Sequence, residues 1–266
     1  MTKTFVLISG GNRGIGLETV RALLESDASA APYHIFLGSR DLEKGQAVAA
    51  KLAPAHGNTV TAIQLDITSP ESVSNAVRQV ESEAGRLDVL INNAGVNYDS
   101  MEDETEKMRV IYDINVVSTA RMTTSFKPLL LIQPAGGEMT KRVINVTSSM
   151  GSIASRYNPE FEWLVFYVVF FGRDYSQLHT AYRCTKAALG MLTACTAYDL
   201  KDVAKVHAFD PGWVATDFGG QEAATAQQWG AVEPRVSALA CRDVVEGKRD
   251  DERDVIVSIN GDTFPW

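Results

Sequence analysis

The 266 residues carry 33 acidic and 25 basic side chains, a net charge of −8, with 45% hydrophobic and 22% charged residues. That balance is ordinary for a globular protein with one large core, and the absence of a basic stripe argues against a nucleic-acid surface. Cys184, Cys195 and Cys241 are odd in number and lack metal-ligand spacing, so they read as reduced thiols of an intracellular, cytoplasmic protein with no metal site.

Met1–Thr4 leads into the apolar run Phe5–Ile8, which Gly10-Gly11 stops too soon for a secretory apolar region. Phe5–Ile8 reads as a buried strand and Gly16–Leu24 as the helix after it. His34–Leu37 is a second strand, with Leu42–Leu52 helical behind it. Val60–Leu65 is a third, followed by a helix through Val80 that Ser69 caps and Pro70 opens. Leu87–Ile91 and Val143–Val146 are short apolar strands on either side of a long helical stretch from about Glu104 to Leu131. Ala181–Leu200 is helical, Val206–Phe209 a strand and Val255–Ile259 the last one. Continuous apolar strands divided by helices predict a single-domain α/β fold over 1–266, a doubly wound parallel sheet of the Rossmann type with helices on both faces. Trp163–Phe171 is the most apolar run, but its nine residues fall short of the roughly 20 that span a bilayer as a helix.

Two motifs carry chemistry. Gly10, Gly14 and Gly16 follow the first strand with the spacing G-x-x-x-G-x-G, not the commoner G-x-G-x-x-G. The physics is shared: glycines allow a tight turn and close backbone approach, and the following helix aims its amides and positive dipole end at a pyrophosphate. Tyr182 and Lys186 stand at i and i+4, so both lie on one helix face. A free phenol has a pKa of about 10, and a neighbouring ammonium favours its ionised form. Such a phenol can donate a proton to a carbonyl oxygen, or take one from an alcohol in reverse.

The order of motifs then becomes specific. Ser9-Gly10-Gly11-Asn12-Arg13-Gly14-Ile15-Gly16, Asp66, Asn92-Asn93-Ala94-Gly95, Asn115, Ser148, Tyr182 to Lys186 and Pro211-Gly212 resemble the short-chain dehydrogenase/reductase family across nearly the whole chain. That family usually begins its loop with threonine; Ser9 keeps the hydroxyl. The resemblance implies that Asn12, Arg13 and Ile15 line the cofactor with the glycines. It places Asp66 against the adenine beside Ile67, and Asn93, Ala94 and Gly95 in a turn that supports the central strand. Lys186 would also hold the nicotinamide ribose, Ser148 would polarise the substrate oxygen, and Asn115 would organise a water chain to Lys186. Thr147 and Ser149 are neighbouring hydroxyls, but Ser148 matches the family position best. Beyond Pro211 and Gly212, Val214 and Thr216 would approach the carboxamide, and Trp213 is either structural or part of a substrate loop running from Phe218 to Gly230.

Charge selects the cofactor. An NAD enzyme places an acid at the end of the second strand, whereas here the strand ends Leu37-Gly38-Ser39-Arg40. Arg40 suits the 2′-phosphate of NADP(H), Ser39 can donate to it, and Arg13 adds a second cation. Asp41 competes in principle but reads better as a helix cap.

Ser148 and Tyr182 stand 34 residues apart, farther than in most members. This implies an insertion over 152–180 of the kind that carbonyl-reductase-like members carry. It reads as a lid over an apolar pocket, as packing that shields the association helix, or as a misread exon boundary. The same feature leaves monomer and homo-oligomer both open. The C-terminal Asn260–Trp266 resembles the ending of some fungal members. The expected activity is NADPH-dependent reduction of a hydrophobic ketone or aldehyde; the alternatives are NADP-dependent alcohol oxidation, a different reaction on the same fold, and a non-catalytic dinucleotide-binding protein.

Overall fold

The computed structural model describes residues 3–27, 31–98, 101–135, 140–157 and 179–266. Residues 158–178 of the expected lid, including Trp163–Phe171, lie outside the described residues.

Eight strands form one sheet in the order β3-β2-β1-β4-β5-β6-β7-β8. They are β1 (Thr4–Ile8), β2 (Tyr33–Ser39), β3 (Thr59–Gln64), β4 (Val89–Asn92), β5 (Lys141–Val146), β6 (Ala204–Asp210), β7 (Ile256–Ser258) and β8 (Thr263–Phe264). All neighbours pair parallel except β7 and β8. The helices are α1 (Gly14–Leu24), α2 (Leu42–Ala49), α3 (Pro70–Ala84), α4 (Glu104–Tyr112), α5 (Ser118–Leu130), α6 (Thr180–Asp199), α7 (Ala223–Gln228) and α8 (Pro234–Val245). The doubly wound α/β arrangement expected from the alternation of strands and helices is the one adopted.

Strand periodicity explains the two layers. Val6 and Ile8 point to one face and Leu7 to the other. On the first face Val6, Ile8, Ile35, Leu37 and Phe209 pack with Val20, Leu23 and Leu24 of α1 and Cys241, Val244 and Val245 of α8. On the second, Leu7, Phe36, Ile63, Leu90 and Val143 meet Val73 and Val80 of α3 and Met122, Phe126 and Leu130 of α5. Burial on both faces is why these strands read as continuous apolar runs rather than alternating ones.

The expected caps hold. The Ser69 hydroxyl accepts from Ser72 N at 3.2 Å, with Pro70 opening α3. The Asp41 carboxylate accepts from Lys44 N at 3.1 Å at the start of α2. Details differ from the sequence reading, among them the end of α2 at Ala49 rather than Leu52 and the short helix α7 within the stretch expected as a loop from Phe218 to Gly230. The stretch from Glu104 to Leu131 is two helices joined by a π-helical turn over Asp113–Val117, and such turns collect at functional sites. Helix α3 runs on to Ala84. Helix α8 was not foreseen, although Pro234 opens it and its apolar face completes the first layer. Strand β8 folds back antiparallel on β7 and leads into Trp266, whose ring lies over Gly190 of α6 and whose carbonyl accepts from Ala154 N at 3.3 Å.

Beneath the sheet's N-terminal edge lies a buried charge cluster. Asp88 accepts from Arg86 Nε at 3.0 Å, from Phe5 N at 2.8 Å and from Lys141 Nζ. Asp88 and Lys141 are fully buried. Removing one partner of such a cluster leaves the others desolvated and uncompensated, at a cost of about 3–5 kcal/mol. Asp88→Ala is therefore expected to lose about that much stability in urea unfolding, read from the transition midpoint at unchanged slope; a loss below about 1 kcal/mol would show that the cluster is solvated.

Candidate active site

The loop between β1 and α1 is shaped by close backbone approach. Gly10 and Gly14 have φ of +67° and +55°, the left-handed region that glycine enters without strain. A Cβ on Gly16 would lie 2.4 Å from Gly10 O, so only glycine lets α1 begin against its own loop. The Ser9 hydroxyl accepts from Asn93 N and Ala94 N, each at 3.0 Å, while Asn93 Nδ2 donates to Ser9 O at 2.9 Å. This knits the Asn92–Gly95 turn to the glycine loop. Thr216, from the loop after β6, sits 3.6 Å from where a Gly14 Cβ would be, so the two loops meet across the start of α1.

At the end of β2 the positions divide. Arg13 and Arg40 are exposed and pair with no acid among the described residues. Ser39 is fully buried, and its hydroxyl donates to Asp41 O at 2.7 Å, so in this conformation it is not presented to a ligand as expected. The Asp41 carboxylate is occupied by Lys44, whose hydrogen bonds hold its pKa below the usual range. Asp66 accepts from Thr68 N at 3.0 Å and Thr68 Oγ1 at 2.7 Å. Ile67 is buried beside it, and Arg121 donates to its carbonyl at 2.9 Å.

The Tyr182 and Lys186 side chains share one face of α6, with Lys186 Nζ 5.4 Å from the Tyr182 ring centroid. Lys186 Nζ donates to Val146 O, at the end of β5, at 2.9 Å. A Cβ on Gly95 would fall 3.9 Å from that ammonium and 3.2 Å from Asn115 Oδ1, which puts the three residues around one small space. The π-helical turn aims Asn115 inward. Its Oδ1 accepts from Val96 N at 2.8 Å, and its Nδ2 donates to Val96 O at 2.9 Å and to Thr185 Oγ1 at 3.3 Å.

The three adjacent hydroxyls after β5 are now distinct. Thr147 Oγ1 donates to Lys186 O at 3.4 Å. Ser149 opposes the upward shift that burial gives the Asp210 carboxyl. Ser148 Oγ only accepts, from Met150 N at 3.2 Å, and its own proton has no acceptor among the described residues. Gly151 presses this turn against α6: a Cβ there would lie 2.5 Å from the Lys186 carbonyl carbon. Pro211 and Gly212 follow β6, Val214 is buried and paired with Val232, and the Phe218 ring meets Tyr182 edge-on at 5.9 Å.

Sequence reasoning missed Asp210, 3% exposed at the end of β6. An acid directly before a Pro-Gly turn at the C-terminal edge of the sheet was the available signal. It missed Gly151 as well. Among the described residues no group of three potential ligands could hold a metal ion, and no helix is long and apolar enough to cross a membrane.

The glycine loop, the Asn92–Gly95 turn and the tyrosine–lysine face of α6 thus converge at the C-terminal edge of the sheet, where such folds bind nicotinamide dinucleotides. The short chain dehydrogenase family model matches residues 4–160. The chain belongs to that family and is an oxidoreductase of it. The chain is 32% identical to the short-chain dehydrogenase/reductase tropE of Talaromyces stipitatus, over 99% of this chain and 98% of that one. It is 32% identical to NADPH carbonyl reductase 1 of Homo sapiens, over 88% and 90%. The solved structure of an NADPH-bound carbonyl reductase from chicken fatty liver superposes with a TM-score of 0.77 at 26% identity, covering 100% of both chains.

Burial lowers the Lys186 pKa to about 8, with Asp210 opposing the shift. The Lys186 side-chain resonances are therefore expected to titrate with a midpoint of about 8 in NMR, well below an ordinary lysine at about 10.4. A midpoint above 10 would show that the ammonium is solvated.

Proposed function

We propose that this chain reduces a ketone or aldehyde to the alcohol with NADPH. The observation that carries the reading is the buried Lys186 ammonium beside Tyr182, held by Val146 O and facing Gly95 and Asn115. Its charge favours the phenolate, so the phenol releases its proton readily to a carbonyl oxygen that is becoming an alkoxide. Ser148, whose hydroxyl proton is uncommitted, donates a hydrogen bond to the same oxygen as negative charge develops there. Asn115 and Lys186 sustain the proton supply behind Tyr182.

The residues present fit a dinucleotide: a glycine cradle that any Cβ would fill, at the N-terminus of α1. When bound there, NADPH supplies the hydride that reaches the carbonyl carbon. Arg13 and Arg40, exposed and unpaired among the described residues, favour NADPH over NADH because each offers a charged donor to the 2′-phosphate. Gly10, Asn12, Gly14, Ile15 and Gly16 would line the pyrophosphate, Asp66 and Ile67 the adenine, and Asn93 to Gly95 with Pro211, Gly212, Val214 and Thr216 the nicotinamide half. The names of the human and chicken relatives carry the same cofactor. Trp213, Phe218 and Trp229, all partly exposed along the loop after β6, favour an apolar substrate. Cytoplasmic location fits the three free thiols.

The test follows NADPH absorbance with apolar ketones, aldehydes and quinones. Wild type is expected to consume NADPH in proportion to alcohol formed, and Tyr182→Phe to bind cofactor but turn over roughly 10²-fold more slowly or worse. Equal rates would remove Tyr182 from the chemistry. If the wild type oxidises alcohols with NADP+ and reduces no carbonyl, the same site works in reverse. In the same assay Arg40→Asp is expected to cut the preference for NADPH over NADH by roughly tenfold or more; an unchanged ratio would assign the 2′-phosphate to other residues.

A further inference from the structure

Two adjacent residues of the segment after β4 connect to α6 on either side of Tyr182. Asn115 clasps Val96 through both its backbone groups, and the same Nδ2 donates to Thr185 Oγ1 at 3.3 Å. Thr185 Oγ1 in turn donates to Tyr182 O at 2.7 Å. Asn97, the next residue, holds its side-chain amide 3.3 Å from His179 Nδ1. His179 and Thr185 stand three residues before and three after Tyr182. The turn of helix that carries the phenol is therefore tied at both edges to one short segment. That segment continues directly from Gly95, which borders the space of Asn115 and Lys186.

The tie at His179 is unusual for a helix start. An N-cap residue normally has extended backbone, and a Ser, Thr, Asp or Asn there turns its own oxygen onto the first amides. His179 is the N-cap of α6, yet its φ of +62° and ψ of +30° are left-handed and its side chain makes no capping bond. Such backbone is disfavoured at a residue with a Cβ and persists where the surroundings determine it. The ring reaches instead to a residue 82 positions away, while the His179 carbonyl accepts from Arg183 N at 2.8 Å. Asn97 and His179 are both half-buried, and the proton transfer described above uses neither.

We propose that Asn97 and His179 are positioning residues for Tyr182. Asn115, through Thr185, fixes α6 on the C-terminal side of the phenol, and the Asn97–His179 bond fixes it on the N-terminal side. Phe218 meets the ring edge-on from the loop after β6. Loss of the N-terminal tie lets the first turn of α6 shift, and the phenol shifts with it away from the space shared by Gly95, Asn115 and Lys186. The proposal rests on the reductase reading for its effect on turnover, but not for its effect on the helix.

Three substitutions separate the side chains from the backbone. His179→Gly keeps the left-handed backbone without steric cost and removes the ring. Asn97→Leu keeps the bulk of the partner and removes its polar group. Each is expected to lower kcat for carbonyl reduction roughly fivefold or more, with the NADPH Kd within about twofold of wild type. The double variant is expected to fall no further than either single one, because both remove the same bond. His179→Asn is expected to recover most of the lost rate, since asparagine tolerates this backbone and places a polar atom about where Nδ1 stands. Amide hydrogen exchange at Arg183, measured without substrate or cofactor, is expected to quicken roughly fivefold or more in Asn97→Leu.

Unchanged kcat in Asn97→Leu and His179→Gly, or losses that multiply in the double variant, would overturn the positioning role. So would a matching loss of NADPH affinity, which is the mark of a fold loosened as a whole. A chain that reduces no carbonyl would sink the reductase reading and leave the tie to be decided by exchange at Arg183. Faster exchange in Asn97→Leu supports it there, and an unchanged rate overturns it.

Discussion

An ammonium held out of water at the C-terminal edge of a parallel sheet is costly, and much of the surrounding structure follows from keeping it there. Lys186 is 5% exposed. Desolvation works against its charge, and only the Val146 carbonyl and the negative charge of Asp210 compensate. The remaining support is geometric. Helix α6 must lie close enough to the sheet for Lys186 to reach Val146 O, which demands a residue without a side chain at Gly151. It must also be fixed in rotation, because Tyr182 reaches the same space from one turn earlier.

That rotation is set by polar groups placed where apolar ones would pack as tightly. Asn92 Nδ2 donates to Asn145 Oδ1 at 2.8 Å and to Thr123 Oγ1 at 3.1 Å, and Asn145 Nδ2 donates to Thr193 Oγ1 at 2.9 Å. A chain of directional bonds therefore runs from α5 through β4 and β5 to α6, the helix that carries the catalytic pair. Buried networks of this kind add less stability than hydrophobic contacts of the same size, but their directionality fixes a single register. Lateral sliding of α6 breaks Asn145–Thr193 before it costs much apolar contact. The Trp266 ring packs over Gly190 of the same helix.

The layered fold was legible because burial on two faces leaves an unmistakable trace: Phe5–Ile8 and Ile35–Leu37 are apolar without alternation. Ser69-Pro70 and Asp41 were legible as caps for a local reason, since each needs only its own next turn. The π-helical turn at Asp113–Val117 was not. Its cause is tertiary, in the bonds of Asn115 to both backbone groups of Val96, and periodicity alone continues the helix from Glu104 to Leu131. The same limit applies at the site. Tyr182 and Lys186 announce themselves by spacing on one helix, whereas the charge of buried Asp210 is felt by Lys186, 24 positions away, only once the chain has folded. Ser39 shows the converse: its sequence position suits a phosphate, while the close approach of Gly45 and the bond to Asp41 O turn its hydroxyl into the interior.

The glycine loop and the Tyr182–Lys186 face of α6 are joined through the loops rather than the strands. Ser9 holds the Asn92–Gly95 turn against the glycine loop, Gly95 touches the space of Asn115 and Lys186, and Thr216 reaches back to Gly14. A dinucleotide settling into the glycine cradle therefore bears on the same turns that surround the ammonium. This arrangement requires small residues at Gly95 and Gly151 and a hydroxyl at Ser9. It leaves the surface of the loop after Gly212 free to vary with substrate, where Trp213 and Phe218 present apolar rings without disturbing the parts that hold the charge.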